Sequence, residues 1–244
     1  MNLKSLISRA LMFGKNQANP SAQFENRRWI KALGKEIETT RPLKFLDVGA
    51  NTGQTLSEIK KYFPNSSVFC FEPDSNSFGE LSKAASQYDH AEVFQLALGD
   101  VSGNALLHRN RDSVTNSLLP NSDNIYQAHL AELMSPVGNE KVRVQTLTEW
   151  TAQQKIGFVD VLKTDCQGYD LRVLRGAGAL LAEKKIGWVC AEILFIDLYN
   201  GQSYADEILA FMRQHGYALY GFYELECDGE GRLAWGNALF KSTK

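Results

Sequence analysis

Lys44-Phe45-Leu46-Asp47-Val48-Gly49-Ala50-Asn51-Thr52-Gly53-Gln54 is the stretch whose reading decides the fold. Its first five residues form a short, mostly apolar run of strand character, and Gly49 ends it. Gly49 and Gly53 frame a turn in which the backbone can bend sharply and approach a ligand with no Cβ in the way. The spacing is not the G-x-G-x-x-G pattern that aims backbone amides at a pyrophosphate. The turn also carries an acid, Asp47, immediately before it. A carboxylate there repels a polyanion and attracts a cation, so the loop points to a ligand that is positively charged nearby.

Outward from this stretch, strand and helix signals alternate. Thr55 to Tyr62 reads as a helix stopped by Pro64-Asn65, Ser67 to Phe71 as a strand, Asn76 to Gln87 as a helix, and Ala91 to Ala97 as a third strand. Later come a strand over Phe158 to Lys163, a helix over Asp170 to Lys185, a strand over Gly187 to Ile193 and a helix over Tyr204 to Gln214. Tyr217 to Tyr223 and Leu233 to Phe240 read as two strands joined by Asp228-Gly229-Glu230-Gly231, a hairpin signal. Such alternation predicts an α/β fold: a mostly parallel seven-stranded sheet, helices on both faces, and an antiparallel hairpin at the far edge. Ligands of such sheets sit beyond the carboxyl ends of the strands.

One segment breaks the rhythm. Residues 101–150 contain two short strand signals (Ala105 to His108, Lys141 to Thr146), a polar stretch and a helix over Ile125 to Met134. Long insertions near a site serve as lids or substrate-binding elements. The first 40 residues read as a helical extension to a catalytic domain over residues 41–244. The helical spacing of Leu3, Leu6, Ile7, Ala10 and Leu11 suits a helix packed on the domain, with weak peripheral membrane contact as the second reading.

Composition is that of an ordinary globular chain: 244 residues, 44% hydrophobic, 22% charged, formal net charge −2. That balance gives no long-range attraction to nucleic acid. No apolar stretch approaches transmembrane length. The four cysteines (Cys70, Cys166, Cys190 and Cys227) form no C-x-x-C pair; Cys70 and Cys190 sit in apolar runs as packed thiols, which suits a reducing, cytoplasmic setting.

The ends of the next two strands continue the ligand argument. Glu72, in Phe71-Glu72-Pro73, stands where an acid accepts the ribose hydroxyls of an adenosine, and Pro73 shapes the turn after it. Ala97-Leu98-Gly99-Asp100 stands where the adenine ring lies in this architecture, with Asp100 placed to accept from the exocyclic amine or to cap the turn.

These residues resemble the FkbM family of methyltransferases. The carrying segments are Asp47 to Gln54, Phe71-Glu72-Pro73 and Ala97 to Asp100, then Leu162-Lys163-Thr164-Asp165-Cys166-Gln167-Gly168-Tyr169-Asp170 with Val173-Leu174-Arg175-Gly176-Ala177. Ala191-Glu192-Ile193, Leu198 to Gln202, Gly216-Tyr217 and Trp235 to Phe240 are also similar. The segment around Lys163 and Asp165 is the most family-specific. The resemblance implies a Rossmann-like class I methyltransferase fold and S-adenosyl-L-methionine as donor. The acceptor it implies is a hydroxyl of a sugar, glycan or natural product. On this reading Asp47, Gly49, Asn51, Gly53, Gln54, Glu72, Pro73, Ala97, Leu98 and Asp100 bind the cofactor. Two positions depart from the family: Gln167 stands where many members have glutamate, and Asn237 where aspartate is frequent.

Methyl transfer to oxygen needs alignment of donor and acceptor and a group that takes the hydroxyl proton. Asp165 and Glu192 end two adjacent strands and are the candidates. Lys163, two residues before Asp165, shares its side of the strand and is placed to hold the carboxylate ionised. A structural ion pair is the competing reading of Lys163 and Asp165. Magnesium held by Asp165 and Glu192 lacks an evident third ligand, so no metal is expected. His108 and His129 lie in the insertion and would reach the site if it folds over; Thr115-Asn116-Ser117-Leu118-Leu119 resembles a family segment near the substrate, and its hydroxyls suit binding of a polar acceptor. Three other readings stay open: a nicotinamide-dependent oxidoreductase, a non-catalytic adenosyl-binding protein, and an N-methyltransferase.

Overall fold

The computed structural model describes residues 28–243 except Thr39 and Tyr126, so the apolar pattern before residue 28 lies outside the described residues. Along the chain run α1 (Trp29–Leu33), β1 (Lys44–Val48), α2 (Gln54–Tyr62), β2 (Ser67–Phe71), α3 (Ser75–Ala85), β3 (Ala91–Phe94), β4 (Ala97–Leu98), β5 (Gly103–Asn110), α4 (Ala128–Leu133) and β6 (Pro136–Gln145). There follow α5 (Leu147–Gln153), β7 (Val159–Thr164), α6 (Asp170–Gly176), α7 (Gly178–Ala182), β8 (Ile186–Leu194), α8 (Ala205–Gln214), β9 (Tyr217–Cys227) and β10 (Leu233–Ser242).

Seven strands form one sheet in the order β3-β2-β1-β7-β8-β10-β9, and a second, three-stranded sheet has the order β4-β6-β5. Strands β3, β2, β1, β7 and β8 are parallel, and β10 pairs antiparallel with both β8 and β9. Strand order reverses at β1, whose neighbours are β2 and β7, so the crevice opens at the Asp47 to Gln54 turn.

Because neighbouring side chains on a strand point to opposite faces, each strand feeds two cores. Leu46, Val48, Phe71, Leu162 and Val189 pack on one face with Trp150 of α5, α6 and α8. Phe45, Val68, Cys70, Val161 and Cys190 pack on the other with Trp29, Leu56, Ile59 and Leu81 of α1 to α3. All six residues of β7 are buried, as a central parallel strand covered on both faces must be. Among the described residues no helix is long and apolar enough to cross a membrane.

Four expectations change. The third strand stops at Phe94, because Ala97-Leu98 leaves the main sheet and pairs parallel with β6 at Val144 and Gln145. The helix expected over Asp170 to Lys185 is two helices, with a break at Ala177 between Gly176 and Gly178, both poor helix formers. Gly176 is also needed there: a Cβ on it would stand 2.0 Å from the Gly99 carbonyl oxygen. The helix expected from Ile125 begins at Ala128. Finally, α5 was not expected at all, although Thr146 caps it by accepting from the Glu149 amide.

Candidate active site

A cavity of about 680 Å³ opens at the carboxyl ends of β1, β2, β7 and β8, a size that accommodates a nucleoside-sized ligand with room beside it. Its floor is the turn after β1. Gly49 has φ 79°, and a Cβ there would lie 2.0 Å from the Asp165 carbonyl oxygen. Only glycine lets the first turn lie against the residue that ends β7. Asn51 is also left-handed, at φ 47°.

The amides of this turn are all engaged within the protein. Those of Gly49 and Ala50 donate to the Phe71 carbonyl at 3.0 Å, and that of Gly53 to Ala50 at 2.9 Å. Asn51 N–H donates to Glu72 Oε2 and Thr52 N–H to Asn51 Oδ1, each at 2.8 Å. None of these five remains to cradle a pyrophosphate. The lining includes the carboxylates Glu58, Glu72, Asp165, Glu192, Glu224 and Glu226 against the cations Arg28 and Lys163. That excess of negative charge opposes a dinucleotide and suits a sulfonium. The geometry thus disfavours the nicotinamide reading on two independent grounds.

Glu72 ties the turn to the end of β2. Its Oε1 accepts from the Asp74 amide and its Oε2 from Asn51, both at 2.8 Å. Burial pushes its carboxyl up to about 7; the two amide bonds pull it down, and the charges of Asp74 and Asp47 push it further up. Phe71, Leu96, Ala97 and Leu98 supply an apolar wall beside it.

Of the residues expected to contact the cofactor, Gly49, Asn51, Gln54, Glu72, Pro73, Ala97 and Leu98 line the cavity. Asp47, Gly53 and Asp100 are absent from its wall. Asp47 is fully buried and is the register partner of Lys163, so its carboxylate lies behind the turn on the face shared by those two strands. Gly53, at φ 94°, closes the turn against α3, where a Cβ would meet Ala84 and Leu81 at 3.3 Å.

Asp165, Glu192 and Lys163 come together. Lys163 Nζ lies 3.4 Å from Asp165 Oδ2 and donates to the Thr164 carbonyl at 2.7 Å. Gln167 joins the two carboxylates: its Nε2 donates to Asp165 Oδ1 at 3.0 Å and to Glu192 Oε2 at 3.0 Å. The amide is oriented from behind by Tyr199, whose hydroxyl lies 3.0 Å from Gln167 Oε1 and 3.0 Å from the Thr115 carbonyl. Burial, with the charges of Glu192, Asp165 and Asp170, pushes the Tyr199 hydroxyl well above its ordinary value, so it stays protonated. Gln167 sits at φ 52° just past β7, where the sharp turn swings its side chain back across the strand ends. Sequence reading missed this role, having only the absence of a family carboxylate to go on.

The second sheet and its connections cover the site. Asn51 Nδ2 donates to Ser113 Oγ at 3.2 Å, Ser117 Oγ to the Gln167 carbonyl at 2.8 Å, and Arg109 pairs with buried Asp74 at 2.8 Å. Leu107, Val114, Asn116, Ser117 and Leu118 reach the cavity, while His108 and His129 are not on its wall. Among the described residues no group of three or more His, Cys, Asp or Glu is arranged to hold a metal ion.

Residues 47–219 match the Methyltransferase FkbM domain. The chain belongs to this family. It is a methyltransferase, and S-adenosylmethionine is the family's methyl donor. The 2-O-methyltransferase NoeI of Sinorhizobium fredii is 25% identical over 204 residues, 82% of this chain and 82% of that protein. Methyltransferase 1 of Beauveria bassiana is 26% identical over 178 residues, 65% of this chain and 70% of its own. Among solved structures, the CMeT domain of the citrinin polyketide synthase matches with TM-score 0.50 at 10% identity, over 88% of this chain and 52% of that one, a likeness of fold alone.

Proposed function

We propose that the protein transfers a methyl group to a hydroxyl of a sugar-bearing or similarly hydroxylated acceptor. The observation that carries this reading is the pair Asp165 and Glu192, joined by the Gln167 amide at 3.0 Å to each and facing one cavity. A hydroxyl is a weak nucleophile until its proton is accepted, and two fixed carboxylates serve as proton acceptor and orienting group. An amine acceptor needs no such pair. The relative NoeI, named a 2-O-methyltransferase, supports the choice of oxygen.

S-adenosylmethionine, when bound, supplies a methyl group made electrophilic by its sulfonium. Glu72 would accept its ribose hydroxyls, Phe71, Leu96, Ala97 and Leu98 would flank its adenine, and Gly49, Asn51, Gln54 and Pro73 would line its approach. Asp47 acts from behind the wall, through Lys163. As the acceptor oxygen gains the methyl group, its proton passes to one carboxylate of the pair. Lys163, with Nζ 3.4 Å from Asp165 Oδ2, holds that carboxylate in place. Residues 101–150 serve as a cover that keeps water from the reacting centre.

Labelled methyl transfer by Asp165→Asn and Glu192→Gln tests the assignment. Each should lose about 100-fold or more in rate, the range for general base catalysis, while binding cofactor normally. Near-unchanged transfer by both would remove the carboxylate pair from the mechanism.

A further inference from the structure

Past the carboxylate pair the cavity continues onto β9 and β10, where Glu224, Trp235, Gly236 and Asn237 line it. Asn237 is the register partner of Glu192, so the two side chains share one face of the sheet. The β9–β10 ladder is broken at this point. Trp235 pairs with Glu226 and Asn237 with Tyr223, so Glu224 and Leu225 together oppose the single residue Gly236. Such a bulge re-aims side chains, and here it holds Glu224 at φ 51°. The glycine is required: a Cβ on Gly236 would stand 2.6 Å from Leu225 Cδ2 and 3.2 Å from its Cα. A left-handed glutamate and a crowded glycine are unfavourable in an ordinary hairpin, and strain of this kind collects at functional sites.

The bulge has one product at the cavity wall. Asn237 Nδ2 donates to Glu224 Oε2 at 2.7 Å. Reversing the amide would set its oxygen against a carboxylate oxygen, so the orientation is forced. The Asn237 Oδ1 that results is buried, in a residue 3% exposed, and has no hydrogen-bond partner among the described residues. A buried carbonyl oxygen lacking a donor is a rarity that a ligand's own donor would remove. The polar groups beside it are also acceptors, namely Glu224, Glu192 and Asp165. The two cations of the wall are engaged, Lys163 with Thr164 and Asp165, and Arg28 with Glu58 and, at 4.0 Å, with Glu224 Oε1.

We infer that Glu224 and Asn237 form an acceptor subsite that receives hydroxyl donors of a neutral polyhydroxylated ring, with Trp235 as its apolar wall, and that rejects anionic acceptors. This rests on the O-methylation reading above. Ring hydroxyls next to the methylated one would donate to Asn237 Oδ1 and Glu224, and the C–H face of the ring would lie on the indole. A phosphate or carboxylate on the acceptor would meet a wall of net negative charge whose nearest cation, Arg28, already lies between Glu58 and Glu224.

The variants are Glu224→Gln and Asn237→Leu. Calorimetric binding of S-adenosylhomocysteine should stay within about threefold of the unsubstituted protein, since neither residue belongs to the cofactor half. Transfer of labelled methyl groups into a host-cell oligosaccharide extract, split by anion exchange, should put label in the unretained fraction. In both variants the KM for that fraction should rise about tenfold or more, the cost of a lost hydrogen bond to a site built for it. Unchanged KM in both variants, or label confined to the retained anionic fraction, overturns the subsite and leaves O-methylation standing. No label in any fraction, with cofactor bound, overturns the O-methylation reading and the subsite with it.

Discussion

Lowering the pH from 8 to 6 should weaken cofactor binding about tenfold, through Glu72. Its carboxyl titrates at about 7 in the folded protein, against an ordinary value of 4.5, chiefly because it is buried. Ribose hydroxyls are donors, and the ionised form of Glu72 is the better acceptor. Both oxygens already take one amide hydrogen each, from Asn51 and Asp74. A proton on either oxygen therefore removes a lone pair that a ribose hydroxyl or an amide needs. If the ionised form alone binds, apparent affinity falls about one decade per pH unit once the pH is below 7. The assay is calorimetric titration with S-adenosylhomocysteine from pH 5.5 to 8.5. Glu72→Gln should flatten the profile and weaken binding about 10- to 100-fold at pH 8, the cost of losing hydrogen bonds to a charged group. The same group makes a second, independent claim on the cofactor-free protein. A carboxyl whose folded value is raised binds its proton more tightly when folded, so its stabilising effect is present at pH below 4.5 and is lost as the pH rises through 7. The difference between 4.5 and about 7 corresponds to about 3 kcal/mol. Affinity that stays level between pH 6 and 8 in the unsubstituted protein would refute the role given to Glu72.

Gly49→Ala should destabilise the fold by about 3 kcal/mol or more in urea unfolding, because the new methyl group collides with the Asp165 backbone and φ is 79°. Arg109→Met leaves the buried Asp74 carboxylate without its cation, and should cost about 2 kcal/mol and speed cofactor release by loosening the second sheet. Tyr199→Phe removes the hydroxyl that orients the Gln167 amide. It should lower stability by about 1 kcal/mol and reduce kcat with little change in cofactor affinity. Gln167→Glu replaces two donated hydrogen bonds with a third negative charge about 3 Å from Asp165 and Glu192, and the acid limb of the pH–rate profile should move to higher pH.

Much of the fold was legible because its main strands are short apolar runs that end at Gly, Pro or acidic residues, a pattern that period and punctuation alone reveal. β1, β2 and α8 fall within a residue of where the pattern puts them. The misreadings have local causes. Ala91 to Ala97 reads as one strand, but its last residue, Ala97, pairs with Val144 of β6, more than forty residues on. The helix α5 carries a Thr-x-x-Glu start at Thr146 and Glu149, a capping signal masked by its place at the end of an irregular insertion.

The site divides in the same way. Sequence by itself determined that acids stand within two residues of the carboxyl ends of β1, β2, β7 and β8, that a glycine turn follows β1, and that the family is FkbM. Those facts depend on short-range order, where a strand's end and the residue after it are neighbours in the chain. Tertiary structure alone decided that Asp47 lies behind the turn beside Lys163, while Glu72 braces it. It also decided that Gln167 joins Asp165 to Glu192, and that a bulge turns Glu224 and Asn237 into the same cavity. The reason is physical: direction of a side chain at a strand end depends on one residue of register or one left-handed φ. Neither leaves a periodic trace in the sequence.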